Sequence, residues 1–179
     1  MTVRLVILGL LRERPLYGYE IKQIIEEHMS DWTSIAFGSI YFALDKLAEE
    51  QFVDKTAVEQ DNKRPARSVY QINEKGREEF LRLLRESWRQ VERQYFAVDI
   101  CLFFQESLPL EEIKDYLQRR LAQLEGTLIY LNAHQQEALA DQHAPRSAAA
   151  IFEHSRVHFQ AELAWTRALL VQVERGEFQ

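Results

Sequence analysis

The chain has one cysteine, four prolines and six glycines among 179 residues. A lone Cys101 excludes an internal disulfide and any metal site built from several thiolates. It sits in the apolar run ICLFF, where a small buried hydrophobe is the expected state. So few Pro and Gly leave no room for a long flexible linker. No uninterrupted apolar stretch has the length a membrane-crossing helix needs. The N-terminal residues lack a signal-peptide layout, from which a cytoplasmic location is expected. A Gly-rich phosphate loop, a nucleophile elbow and a zinc-protease signature are also missing, so nothing in the chain reads as an enzyme. No cofactor is expected.

An excess of basic charge is lacking too, since the net charge is −6. The sign is unevenly spread. Residues 1–90 carry 14 basic and 15 acidic side chains, net −1, and residues 91–179 carry 8 and 13, net −5. Between Lys63 and Arg77 five basic residues face the single Glu74. Such a patch on an acidic protein is compatible with binding DNA, with an affinity that falls steeply with salt.

What is present is a 46% hydrophobic composition, ample for a core, arranged mostly at helical spacing. Val3 to Leu11 is apolar nearly all round and predicts a buried or interface helix. Leu16 to His28 predicts a second helix with Tyr17, Ile21, Ile24 and Ile25 inward. Gly18 early in that helix is costly by propensity and implies close packing against another backbone. A third helix follows in FGSIYFALDKLAEEQFV, with Ser39 as N-cap and Ile40, Ala43, Leu44 and Leu47 as its buried stripe. Its outer face carries Phe42, Asp45, Lys46 and Glu49, with Ser39 and Tyr41 at the edges. The first turns suit a DNA groove, whereas Asp45 and Glu49 oppose contact along the whole helix. Taken alone, the segment reads better as an ordinary amphipathic helix with a solvated face.

Phe52 to Val58 and Ser68 to Ile72 predict a two-stranded hairpin around the polar turn QDNKRP. Its tip, with Lys63, Arg64 and Arg67, reads as the wing of a winged helix-turn-helix. The bland alternative is a merely soluble loop. Asn73 is the expected N-cap of a fourth helix with Phe80, Leu81, Leu84, Trp88 and Val91 on its apolar stripe, leading out to the second half. A short helix is expected over Val98 to Phe104. Pro109, Glu111 and Glu112 mark the start of a longer one. Leucines at 110, 117, 124 and 131, with 121 and 128 between, form a heptad seam. After a break at 140–146, Phe152, Phe159, Thr166 and Val173 repeat at seven, with Leu163 and Leu170 between. Two such helices should pack antiparallel and offer a surface to a second subunit. The fold class expected is mainly α: a winged helix-turn-helix domain over 1–90 and a helical dimerisation domain over 91–179.

LVILGLL, YGYEIKQII, GSIYFALDKLAEEQFV and RPARSVYQINEKGREE, in that order, resemble the successive signatures of PadR-type transcriptional regulators. The resemblance covers the first 80 residues in sequence and the remainder in layout. It implies a cytoplasmic homodimeric repressor on a pseudo-palindromic double-stranded operator, with Tyr19 supporting the second helix. Ser39, Tyr41 and Lys46 would approach the DNA, and Arg64 and Arg67 would sit on the wing. Two positions depart from the pattern: Phe42 replaces a common proline, and Gln51 a common glycine at the helix end. Some relatives release DNA on binding phenolic or flat hydrophobic compounds, which makes Trp88, Tyr95, Phe96 and Trp165 candidates for stacking a small aromatic effector. Ordinary core packing is the competing reading of those four. His154 and His158 stand one turn apart but lack a third metal ligand. The alternative from another class is a winged-helix module that binds protein, for which a basic KRPAR segment has no use.

Overall fold

The computed structural model describes residues 2–30, 32–58, 67–140 and 146–177, with the backbone alone at 57, 58 and 67. They form two compact units, 1–93 and 94–179. In the first, α1 (Thr2–Leu11), α2 (Gly18–His28) and α3 (Phe37–Glu49) surround one core with a small sheet and α4 (Glu74–Arg89). Ile7, Leu8, Ile21, Leu44 and Leu47 are wholly buried there.

The sheet has three strands, not the two expected. Leu16–Tyr17 is an edge strand, β1, antiparallel to β3 (Arg67–Ile72), which also pairs with β2 (Val53–Val58). Leu16 therefore buries its side chain opposite Tyr70 instead of starting a helix. Tyr17 is extended, and its N–H donates to the Glu20 carboxylate at 2.8 Å, which fixes the start of α2 at Gly18. The close neighbour of Gly18 is also not a backbone. A Cβ there would lie 2.8 Å from the ring carbon Cε1 of Tyr41, so the missing side chain seats an aromatic of α3 on α2.

The end of α3 keeps the glycine-type turn although a glutamine stands in it. Gln51 has φ +62, the left-handed conformation that favours glycine. Phe52 N–H reaches Leu47 O at 2.8 Å and Gln51 N–H reaches Ala48 O at 3.0 Å, the paired bonds of a Schellman turn. Lys75 Nζ donates to Glu50 O, Asn73 Nδ2 to Gln51 O, and the Arg4 guanidinium grips the Glu50 carboxylate with two bonds. Asn73 does cap α4, accepting from Gly76 N–H at 3.0 Å.

The stripe of α4 differs from expectation. Gly76, Phe80 and Leu83 are buried, while Leu81, Trp88 and Val91 are exposed, Val91 lying past the helix end. Gly76 decides this. A Cβ there would stand 2.0 Å from Phe52 O, so the helix rests on that carbonyl and turns the Gly76 face inward. Phe80 then packs against Gly9 of α1.

The second unit holds α5 (Ala97–Phe103), α6 (Leu110–Ala140) and α7 (Ala148–Glu174). Leu117, Leu124 and Leu131 are buried along α6, and Phe152, Thr166, Leu169 and Val173 along α7, so the heptad seam is real. Contacts from His134 to Phe152 and from Arg120 to Thr166 make the pair antiparallel. Thr166, fully buried in a seam of leucines, is satisfied by Glu162 O at 2.8 Å and by Arg120 Nε at 3.3 Å. Arg120 also pairs with Glu162 at 2.6 Å.

Cys101 is exposed, against expectation. No residue of α5 is buried within its unit, because α5 is only two turns long and offers Ile100 and Phe103 outward, with Phe104 exposed just past its end. Among the described residues no helix is long and apolar enough to cross a membrane.

Candidate nucleic-acid interface

Helix α3 presents its first turns on the surface of the first unit. Ile40, Ala43, Leu44 and Leu47 hold it to the core, so Phe42 points the opposite way and is 67% exposed. Ser39 is not the N-cap. The helix begins two residues earlier, at Phe37, and Ser39 Oγ donates back to Ala36 O within the first turn. Its hydroxyl oxygen keeps accepting capacity toward an incoming donor.

An aromatic and basic cluster flanks these turns. The Tyr41 ring lies over Gly18 and meets Phe37 at 5.4 Å, and Lys22 of α2 places its ammonium 4.2 Å from the centre of the Phe37 ring. Tyr19, one turn before Lys22, stacks on Tyr17 at 5.5 Å. Tyr41 thus sits at Gly18, the residue before Tyr19, where α2 meets α3. Lys22 and Phe37 escaped the reading of the sequence, although the spacing of Tyr19 and Lys22 already put both on one face.

The two carboxylates that opposed DNA contact are both paired. Asp45 accepts from Lys55 of β2 at 2.8 Å, and Glu49 from Lys46 at 2.7 Å. Hydrogen bonding to these carboxylates holds both lysines above the ordinary lysine range, so they stay cationic at any pH at which the protein works. All four groups are largely exposed, so a phosphate can compete for either lysine. Arg67 opens β3 opposite Val58; Lys63 and Arg64 lie outside the described residues.

In the second unit, Phe96 is half-buried and stacks on His158 at 5.6 Å, Tyr95 is exposed, and Trp165 lies on α7, about two turns beyond His158. Trp88 belongs to the first unit, exposed on α4. Separately, a cleft of about 530 Å³ opens between α5, α6 and α7, lined by Val98, Cys101, Leu102, Ile113, Tyr116 and Arg120 among others, and by none of those four aromatics. The sequence hinted at it only through the apolar excess of α5. His158 is engaged with Phe96, and no group of three potential metal ligands occurs among the described residues.

A three-helix core, a β-hairpin next to an outward-facing third helix, and a separate helical hairpin define a winged-helix protein with a helical C-terminal unit. The model of the transcriptional regulator PadR-like family matches residues 7–82. The negative transcriptional regulator PadR of Bacillus subtilis is 30% identical over 129 residues, 69% of each chain. The chain belongs to the PadR-like family of transcriptional regulators. Its fold is similar to that of Bacillus subtilis PadR in complex with operator DNA, with TM-score 0.77, 21% identity and coverage of 97% of this chain and 99% of that one. The same protein in complex with p-coumaric acid matches with TM-score 0.73 at 20% identity, covering 96% and 94%.

Proposed function

We propose that the protein is a homodimeric repressor that binds a pseudo-palindromic operator and is released by a small aromatic effector. The observation that carries the reading is the surface of α3. Its outer carboxylates are paired, and Ser39, Tyr41 and Lys46 lie on its exposed turns beside Tyr19 and Lys22. The wing residues Lys63, Arg64 and Arg67 supply phosphate contacts on the adjacent groove. The operator complex of Bacillus subtilis PadR supports this arrangement by likeness of fold.

Two copies of α3 are needed to read two half-sites. The exposed apolar side chains of the second unit, Ile100 and Phe103 on α5, Phe104 just after it, and Val157 and Val171 on α7, favour self-association there. For the effector, the p-coumaric acid complex of the relative and the Phe96–His158 stack both favour a flat aromatic compound, with Tyr95 and Trp165 of the same unit as further candidates to contact it.

The test is a mobility-shift titration of the purified protein on its own upstream DNA at low salt. Binding is expected, weakened by Lys46→Ala and by Arg64→Ala, and the Arg64→Ala variant should flatten the salt slope by about one unit. If no fragment of that region shifts, the repressor reading fails.

A further inference from the structure

We infer that Phe42 is a base-reading residue whose ring packs against the C5 methyl group of a thymine in each operator half-site. The inference rests on the reading of α3 as the DNA reader and adds what that helix recognises.

Phe42 is diametrically opposite the buried stripe, on the part of the helix that enters the groove in helix-turn-helix complexes. Helical side chains lean toward the preceding turn, and the residue one turn before Phe42 is Gly38. A Cβ at Gly38 would meet nothing within 4 Å, so no neighbour shields the ring on that side. Lys46 flanks it, with the ammonium 6.0 Å from the ring centre. The result is a large apolar group standing out between a bare glycine and a phosphate-seeking cation.

An aromatic ring this exposed adds nothing to the core, and on the outward face of α3 it is free to meet a base edge. The carboxylates around it are paired, Asp45 with Lys55 and Glu49 with Lys46, so neither stands alone against the groove. Phenylalanine has no donor or acceptor for the hydrogen-bonding edges of guanine, cytosine or adenine. The one apolar feature in the major groove is the thymine methyl. A neighbouring Lys46 on the backbone phosphate would hold the ring in register over that methyl.

The experiment selects a duplex from a random-sequence pool with the full-length protein, then replaces each thymine of the selected duplex in turn with deoxyuridine, which pairs identically but lacks the methyl. Burial of one methyl corresponds to about a fourfold gain in affinity. One symmetry-related pair of thymines is therefore expected to weaken binding about fourfold per half-site when replaced. In the Phe42→Ala protein the same replacement should have no effect, and Phe42→Leu should restore part of it. Because Phe42 lies outside the core, these variants should melt with the wild type. If wild-type protein binds every deoxyuridine duplex as tightly as its thymine parent, the inference is overturned while the DNA-binding reading stands. If the pool yields no bound duplex, both fall.

Discussion

Gln51 and Gly76 are two residues whose backbones, not side chains, decide how the first unit is assembled. Gln51 occupies a left-handed conformation at the end of α3, and the bonds from Asn73 and Lys75 to Gln51 O and Glu50 O hold it there. Replacing it by glycine removes the Cβ conflict, so Gln51→Gly should stabilise the unit by about 1 kcal/mol, read as a higher urea midpoint at unchanged slope. Gly76 is the reverse case. Any side chain would meet the Phe52 carbonyl, so Gly76→Ala should cost about 1–3 kcal/mol and lower the melting temperature. A glutamine standing where the resemblance puts a glycine left two endings open, a left-handed turn or a different helix end, and the bonds from Asn73 and Lys75 accompany the first. The role of Gly76 was not legible, since a glycine in a first helical turn announces no partner and Phe52 O is 24 residues away.

At the scale of elements, the helices with a clean apolar stripe were read correctly. Ile40, Ala43, Leu44 and Leu47 are buried as their spacing required, as are Leu117, Leu124 and Leu131 of α6, while Leu110, Leu121 and Leu128 are half-buried. Errors came where a short-range signal lost to a tertiary one. Leu16 and Tyr17 carry a helix-compatible pattern, but two residues of β-pairing and the Glu20 bond to Tyr17 N–H claimed them. Cys101 looked buried because its neighbours are apolar, whereas α5 is too short to bury them within its unit. The Lys55–Asp45 pair could not be read, since it joins different elements, whereas Lys46–Glu49 lies one turn apart in α3 and was within reach of spacing alone.

The Glu20 bond has a pH consequence. Hydrogen bonding from Tyr17 N–H, aided by Arg14, holds the Glu20 carboxyl below its usual range, and Glu50 is lowered by Arg4 and Glu79 by Arg82. A carboxyl with a depressed folded value contributes stability above its unfolded value of about 4.3 and loses it as pH falls through the folded value. Acid unfolding of the first unit should therefore set in below about pH 4. The stability gap between wild type and Glu20→Gln, measured by thermal melts from pH 7 to pH 3, should shrink toward the acid end.

For the whole molecule, charge and cores are divided the same way. The nearly neutral half, net −1, contains the basic segment, and the acidic half, net −5, contains the heptad helices. Each half has its own buried core. Truncation after Gln90 should therefore leave a folded monomer that binds operator weakly, checked by analytical ultracentrifugation beside the mobility shift. A truncated form that remains dimeric would assign self-association to the winged unit and not to the heptads.

The order of the sheet, β1-β3-β2, places its longest free edge along β2. An unpaired strand edge is a template on which another chain can add a strand, and during synthesis every copy would present one. Here β1 is two residues long, and β2 carries Asp54 and Lys55 side by side, each held by a hydrogen bond, to Asn73 and Asp45. An approaching strand would have to displace both bonds and bring its own backbone against two charges. The groups that quiet the surface of α3 for DNA therefore also discourage edge-to-edge aggregation of the protein while it is unbound.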